Sequence, residues 1–368
     1  MIHDLMNDAG DPHPSGHPVP RAGFYASPPT LSKAALLVWR FRCGRDMIAL
    51  RPPAPPDALI GKVRFMSPAT RIFEPHAHMF SRVTDDYQDM ARAGVRVILE
   101  PAFWLGQPRT QVGSFIDYFD TLIGWERHRA AQFGIHHVCT MALNPREAND
   151  PRVNADVLAL LPRYLEKNSV VGVGEIGLDD MTPVEEEFFE KQIQLAIDHE
   201  LPILVHTPHR DKKRGFKRCL EIVQASGIPM DRVLLDHGNE ETVKITLDSG
   251  AMQGFSIYPN TKMSPDRMVA LLQTYGVERM IINSACDWGV SDPMSVPKTV
   301  DAMRRAGFSE EDIDTLVWKN PVGFFGRFGR GSEDEWLSEP SLDWSQTHEG
   351  NSVLRGQTPE AMDSRHED

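Results

Sequence analysis

Two histidines are the first residues in this chain whose types and spacing suggest chemistry. They stand in Glu74-Pro75-His76-Ala77-His78, at the end of an apolar run. Side chains alternate faces along an extended segment, so His76 and His78 point the same way and can hold one divalent metal. A glutamate follows in Gly172-Val173-Gly174-Glu175-Ile176-Gly177-Leu178-Asp179, where the glycines let the backbone approach a neighbour closely. Further along come Leu204-Val205-His206-Thr207-Pro208-His209-Arg210, then Asp236-His237, and then Asp287 after Ile282-Asn283-Ser284. Taken singly, each is as readily a satisfied core histidine, a capping acid or a surface charge. His76, His78, Glu175, His206, His237 and Asp287 each close a β-rich run, and where those runs converge they make a metal centre. Imidazole and carboxylate together suit Zn²⁺ or Mn²⁺ better than Mg²⁺, which prefers oxygen and water.

The elements that must position these residues are short β-rich runs separated by helical patterns. There are eight: Arg71–Pro75, Val95–Glu100, His136–Leu143, Val170–Ile176, Pro202–His206, Arg232–Asp236, Ala251–Ile257 and Arg279–Ser284. Between them lie helix-like stretches such as Pro183–His199, with proline near its start and Glu185, Glu186 and Glu187 in its first turn. Acids there complement the positive end of the helix dipole. Eight βα repeats in about 250 residues predict an α/β fold of the TIM (β/α)8 barrel type. An open doubly wound sheet would gather its site at one reversal of strand order. Candidates spread over many strand ends favour the closed barrel instead, whose C-terminal face collects them all.

The two ends of the 368-residue chain read differently. Residues 1–65 hold 10 of the 28 prolines, including Pro52-Pro53-Ala54-Pro55-Pro56, and predict a disordered leader or sequence upstream of a true start at Met66. Residues 331–368 carry ten acids against Arg355 and Arg365, which predicts a disordered acidic tail. The barrel is therefore expected over 66–330, and truncation to those limits is expected to keep thermal stability. Net charge is −13, and 66–330 alone has 37 acids against 29 bases. Such acidity disfavours non-specific binding to nucleic acid or anionic membrane. Cys43, Cys139, Cys219 and Cys286 are widely spaced, without a CxxC pair, so neither a zinc knuckle nor a disulfide framework is indicated. With no membrane span or basic signal region evident, a soluble cytoplasmic protein is expected.

These motifs together resemble the TatD-like hydrolases of the metal-dependent amidohydrolase superfamily, over roughly residues 71–326. Glu74-Pro75-His76-Ala77-His78 is similar to the family's D-x-H-x-H, with Glu in place of Asp, and Gly174 to Asp179 matches its GEIGLD signature. Phe189, Gln192, Leu195, Ala196, Leu201 and Pro202 resemble its F-x-x-Q-x-x-L-A…L-P lead into the fifth strand. The chain departs from the family at Asp180, where an aromatic residue is usual, and in the expanded segment from His206 to Arg210. It departs again at Ser284-Ala285-Cys286-Asp287-Trp288, in place of E-T-D-x-P. The resemblance implies conserved metal chemistry on a substrate that need not be DNA.

It further implies a centre of two divalent ions, Zn, Mn or Mg. His76 and His78 would hold one with Asp287, His206 and His237 would hold the other, and Glu175 would bridge them. The implied activity is hydrolysis by a metal-activated water, with Asp287 as general base, most readily of a phosphoester. An amide or lactone cleaved at the same site, and a non-catalytic metabolite-binding barrel, are the alternatives. Glu74, Asp236 and Asn239 lie where they could brace ligating histidines, and Glu100 and Asn144 where they could line the floor. His209, Arg210 and Lys213, with Lys212 and Arg214, form a cluster suited to clamping a phosphate or carboxylate. Trp104, Tyr258 and Trp288 are candidates for an apolar wall. The expected partner is a small-molecule or phosphoester substrate, nucleic acid being less favoured and membrane not expected.

Overall fold

Valine, isoleucine and leucine dominate most of the eight β-rich runs, and in the computed structural model, which describes residues 70–104 and 106–341, each run becomes a strand. They are β1 Ile72–Glu74, β2 Val95–Pro101, β3 His136–Met141, β4 Val170–Gly177, β5 Ile203–His206, β6 Val233–Leu235, β7 Met252–Ser256 and β8 Met280–Asn283. All pair in parallel in the order β1 to β8. The seam between β8 and β1 is drawn together just past the strand ends. There Ala285 N donates to His76 O and His78 N to Cys286 O, each at 2.8 Å, and the Glu74 carboxylate accepts Ser284 N at 3.0 Å. The expected TIM barrel is therefore present, with its rim stitched by the segments that carry the candidate residues.

A parallel strand buried on both faces needs an unbroken apolar run, and β4 is buried at every position. Inside the barrel Phe73, Leu99, Val138, Val171, Leu204 and Ile281 pack into one cluster with Trp318, Phe324, Phe325 and Trp336. Helices cover the outside. The helix Pro183–Asp198 starts where Thr182 Oγ1 accepts Glu185 N at 3.1 Å, with Pro183 in its first turn. Its buried Gln192 reaches the loop after β3, accepting Leu143 N at 2.7 Å and donating to Leu143 O at 3.1 Å. This explains a buried amide among Phe188, Phe189, Ile193 and Ala196: it holds the strand end that carries Asn144.

The tail boundary needs correction. Residues 331–341 are ordered against the barrel, with a helix at Glu333–Leu337 capped by Ser332. Trp336 is 1% exposed and meets Phe73 edge-on, with ring centroids 5.2 Å apart. Glu333 accepts Trp318 Nε1 at 2.8 Å and pairs with Arg71 at 2.8 Å. Acidic composition hid this helix, because Glu333, Asp334 and Glu335 are the first-turn acids of a helix whose buried anchor is one tryptophan. The leader 1–65 and the tail from 342 onward lie outside the described residues. No helix among the described residues is long and apolar enough to cross a membrane.

Candidate metal centre

His76 leaves β1 with its ring buried and its Nδ1 2.6 Å from Asp236 Oδ2. Asp236 also accepts the His237 amide at 2.7 Å and Asn283 Nδ2 at 3.0 and 3.1 Å. Burial pushes the Asp236 carboxyl up, but the neighbouring imidazoles and the His237 amide outweigh it and hold the group well below its ordinary range. An ionised carboxylate there accepts a hydrogen bond from Nδ1–H, which leaves the His76 Nε2 lone pair facing the barrel mouth. Asp236 thus braces a histidine, as expected. Glu74 braces backbone instead, accepting His76 N at 3.2 Å and Ser284 N.

His78 reaches the same point by a different support. Its ring stacks on Phe103, centroids 3.6 Å apart and 15° from parallel, and its Nε2 lies 3.0 Å from His76 Nε2. Burial, reinforced by the adjacent His76, lowers the His78 pKa well below its ordinary value. His237 is likewise lowered by burial and by Lys262. Both rings are then neutral at pH 7, which is the form that ligates a metal.

Glu175 is aimed by a break in the ladder. Pairing passes from Gly174 with Leu204 directly to Ile176 with Val205, and the Glu175 amide donates to Ala102 O at 3.2 Å instead. A side chain at Gly174 would put its Cβ 2.7 Å from Leu204 Cβ, so this close strand approach requires glycine. Glu175 Oε1 lies 3.4 Å from His76 Nε2, 3.4 Å from His206 Nδ1 and 3.2 Å from His237 Nε2. Asn144 Nδ2 donates to its other oxygen at 3.2 Å. Burial raises the pKa of this carboxyl, but the surrounding imidazoles win and hold it well below the usual range.

Donors each 2.0–2.1 Å from one tetrahedral ion must stand roughly 3.4 Å from one another. The nitrogen and oxygen separations here, 3.0 to 3.4 Å, meet that requirement. Ligand atoms converge in three groups: His76, His78 and Glu175; His76, Asp236 and His237; and Glu175, His206 and His237. His206 Nε2 is buried without a hydrogen-bond partner, 3.6 Å from Asp179 Oδ1. The donor set therefore fits a divalent metal, with Glu175 common to two of the groups. Asp236→Asn is expected to weaken metal binding by about 10–100-fold, since it removes the acceptor that sets the His76 tautomer. Isothermal titration of the metal-stripped protein checks this, and unchanged affinity would contradict that role for Asp236.

Several sequence-predicted residues lie elsewhere. Asp287 lines the cavity over the cluster but stands outside the converging groups, its Oδ1 accepting Tyr258 Oη and Gly289 N, each at 2.8 Å. Asn239 does not brace a histidine; its side chain accepts the Glu241 amide within its own turn. Arg210 is 89% exposed, 3.9 Å from Asp180, and Lys213 borders a different, outer cavity. Glu100 is buried beneath the site, bonded to His137 Nε2 at 2.9 Å and Phe80 N at 2.8 Å. His209 does line the cavity over the cluster, as do Trp104 and Tyr258, whereas Trp288 stacks outside on Phe103.

That cavity measures about 430 Å³ and is also lined by Phe103, Arg146, Asp179 and Lys262, which the sequence reading missed as site residues. Arg146 Nε pairs with Asp179 Oδ2 at 2.8 Å, and Lys262 Nζ lies 3.2 Å from His237 Nδ1. Asp179 carried a signal, being the last residue of the GEIGLD match. Lys262 carried none.

The family model described as "TatD related DNase" matches residues 76–326. An uncharacterized metal-dependent hydrolase of Methanocaldococcus jannaschii is 28% identical over 257 residues, 69% of this chain and 99% of the relative. Among solved structures, a TatD-like protein from Archaeoglobus fulgidus superposes with TM-score 0.58 at 24% identity, covering 69% of this chain and 99% of its own. The phosphotriesterase homology protein of Escherichia coli, solved with phosphate in its active site, gives TM-score 0.51 at 18% identity, covering 70% and 99%.

Proposed function

The chain belongs to the family of TatD-related DNases and is a metal-dependent hydrolase, and we propose that it cleaves a phosphoester using two divalent ions. His76 and His78 would hold one ion, His206 and His237 the other, with Glu175 shared between them. The observation that carries the phosphoester reading is Lys262. Its ammonium sits in the catalytic cavity against His237, and among the described residues it forms no ion pair. Burial draws its pKa down from the ordinary value against the pull of Asp236, Glu175 and Asp287, and an anion bound beside it would stabilise its charged form further. Arg146 lines the same cavity, but its charge is already shared with Asp179.

The ions, once bound, supply Lewis acidity and a lowered pKa for water. The protein's own residues do the rest. Asp287 would take a proton at Oδ2, since Tyr258 and Gly289 donate to Oδ1. Asn144 fixes the plane of Glu175, and Asp236 and Phe103 fix His76 and His78. Phe103, Trp104 and Tyr258 give the cavity an aromatic wall. Net acidity favours a small phosphoester over a long nucleic acid. The buried free thiols Cys139, Cys219 and Cys286 support a reducing compartment, the cytoplasm.

Manganese-supplemented hydrolysis of bis(p-nitrophenyl) phosphate by the full chain tests the reading. Lys262→Met is expected to raise KM roughly tenfold or more, as a hydrogen bond to a charged group contributes about 1.5–3 kcal/mol. Arg210→Glu combined with Lys213→Glu is expected to leave KM within about twofold, since both side chains lie outside the catalytic cavity. Metal-bound protein that ignores the phosphodiester yet opens an amide or lactone would overturn the phosphoester reading.

A further inference from the structure

We propose that a second cavity, beside the catalytic one, binds a planar aromatic ring carried by the substrate. The proposal rests on the phosphoester reading for the group that anchors at Lys262. The second cavity measures about 440 Å³ and is bordered by Trp104, Gln107, Pro108, Arg146 and Pro151. Trp104 and Arg146 also line the catalytic cavity, so the two spaces are neighbours across one wall. Arg146 lies over the Trp104 indole, 4.5 Å from guanidinium carbon to ring centroid. Its pairing with Asp179, which faces His206, ties that wall to the metal ligands. A substrate anchored at the metal centre thus meets this wall next.

The chemistry of the second cavity points to a neutral flat group. Three guanidiniums border it, and each already has a carboxylate: Arg109 with Glu147 at 2.7 Å, Arg146 with Asp179, and Arg152 with Asp150. Compensated cations offer little to a second anion. Besides the neutral amides of Gln107 and Asn149, what remains are planar or flat surfaces, namely the indole, the guanidinium planes and the rings of Pro108 and Pro151. Indole and guanidinium are the side chains on which aromatic rings and bases stack. The substrate class is therefore a phosphoester bearing a flat aryl ring, with Trp104 and Arg146 setting specificity between the two cavities.

The test is isothermal titration of the full chain, loaded with Mn²⁺, with methylphosphonate, benzylphosphonate and 2-naphthylmethylphosphonate. Stacking of this kind contributes about 1–3 kcal/mol, so the aromatic phosphonates are expected to bind roughly tenfold or more tighter than the methyl compound. Gln107 borders only the second cavity, and Gln107→Trp fills it. That variant is expected to cut the aromatic preference to about twofold or less while leaving methylphosphonate affinity unchanged. Equal affinities for all three ligands, absence of binding by all three, or a preference that survives Gln107→Trp would each overturn the proposal. Turnover of bis(p-nitrophenyl) phosphate on the same preparations tests the phosphoester reading separately. Lost turnover with the aromatic preference intact would sink that reading and leave the subsite standing.

Discussion

Glu175→Gln is expected to lower turnover by on the order of 10³-fold or more, because a Lewis-acid centre contributes several kcal/mol to the transition state. The residue is placed for an effect of that size. One carboxylate oxygen lies 3.2 to 3.4 Å from ring nitrogens of His76, His206 and His237, so its charge would serve two of the candidate ligand groups at once. Glutamine keeps the shape and the Asn144 neighbour but loses the charge. Metal content after dialysis should fall with activity, while circular dichroism and the melting temperature of the metal-free protein stay close to wild type. Full activity in Glu175→Gln would show that this carboxylate holds no essential metal.

Truncation after Arg330 is expected to lower the melting temperature by on the order of 10 °C, against the stability that composition alone predicted for 66–330. The cut removes Trp336, which is fully buried against Phe73, together with Glu333 and its bonds to Trp318 and Arg71. Emptying a buried tryptophan site costs about 3–5 kcal/mol, and a domain of this size loses about 2–4 °C for each kcal/mol. Trp336→Ala in the full chain should reproduce most of the loss. Truncation after Ser341 should not, since it spares the helix and its contacts. Below the melting transition, kcat and KM of the Trp336→Ala chain are expected to match wild type, because Trp336 packs with the barrel interior away from the ligand cluster. An unchanged melting temperature for the chain ending at Arg330 would mean that the last helix adds nothing to the fold.

The strands, the family and the cluster of candidate ligands were legible in the sequence because each depends on local order along the chain. Runs of valine, isoleucine and leucine mark buried parallel strands wherever they fall, and observed limits agree with the predicted ones to within about two residues. His76, His78, Glu175, His206 and His237 sit within or just beyond strands β1, β4, β5 and β6, so closing the barrel brings them together without further information. Asp236 was legible for the same reason, being adjacent to His237 at the end of β6.

The loop residues were decided only by tertiary structure. After β5 the backbone turns through a left-handed Asp211, at φ 45°, before the helix Lys212–Ser226 begins. Lys212 then folds inward onto Thr207 while Arg210 and Lys213 face outward, so neighbours in one basic run part company. Asp287, also in a loop, is taken by Tyr258 from the far side of β7, a partner no spacing rule supplies. Lys262 enters the site from irregular chain before the helix Pro265–Tyr275, with neither motif nor period to mark it. Strand ends inherit their positions from hydrogen-bonded ladders, whereas loop side chains take theirs from whichever buried surface or partner they meet. That difference is why the converging His and Glu side chains could be read from the sequence and the loop residues lining the cavity above them could not.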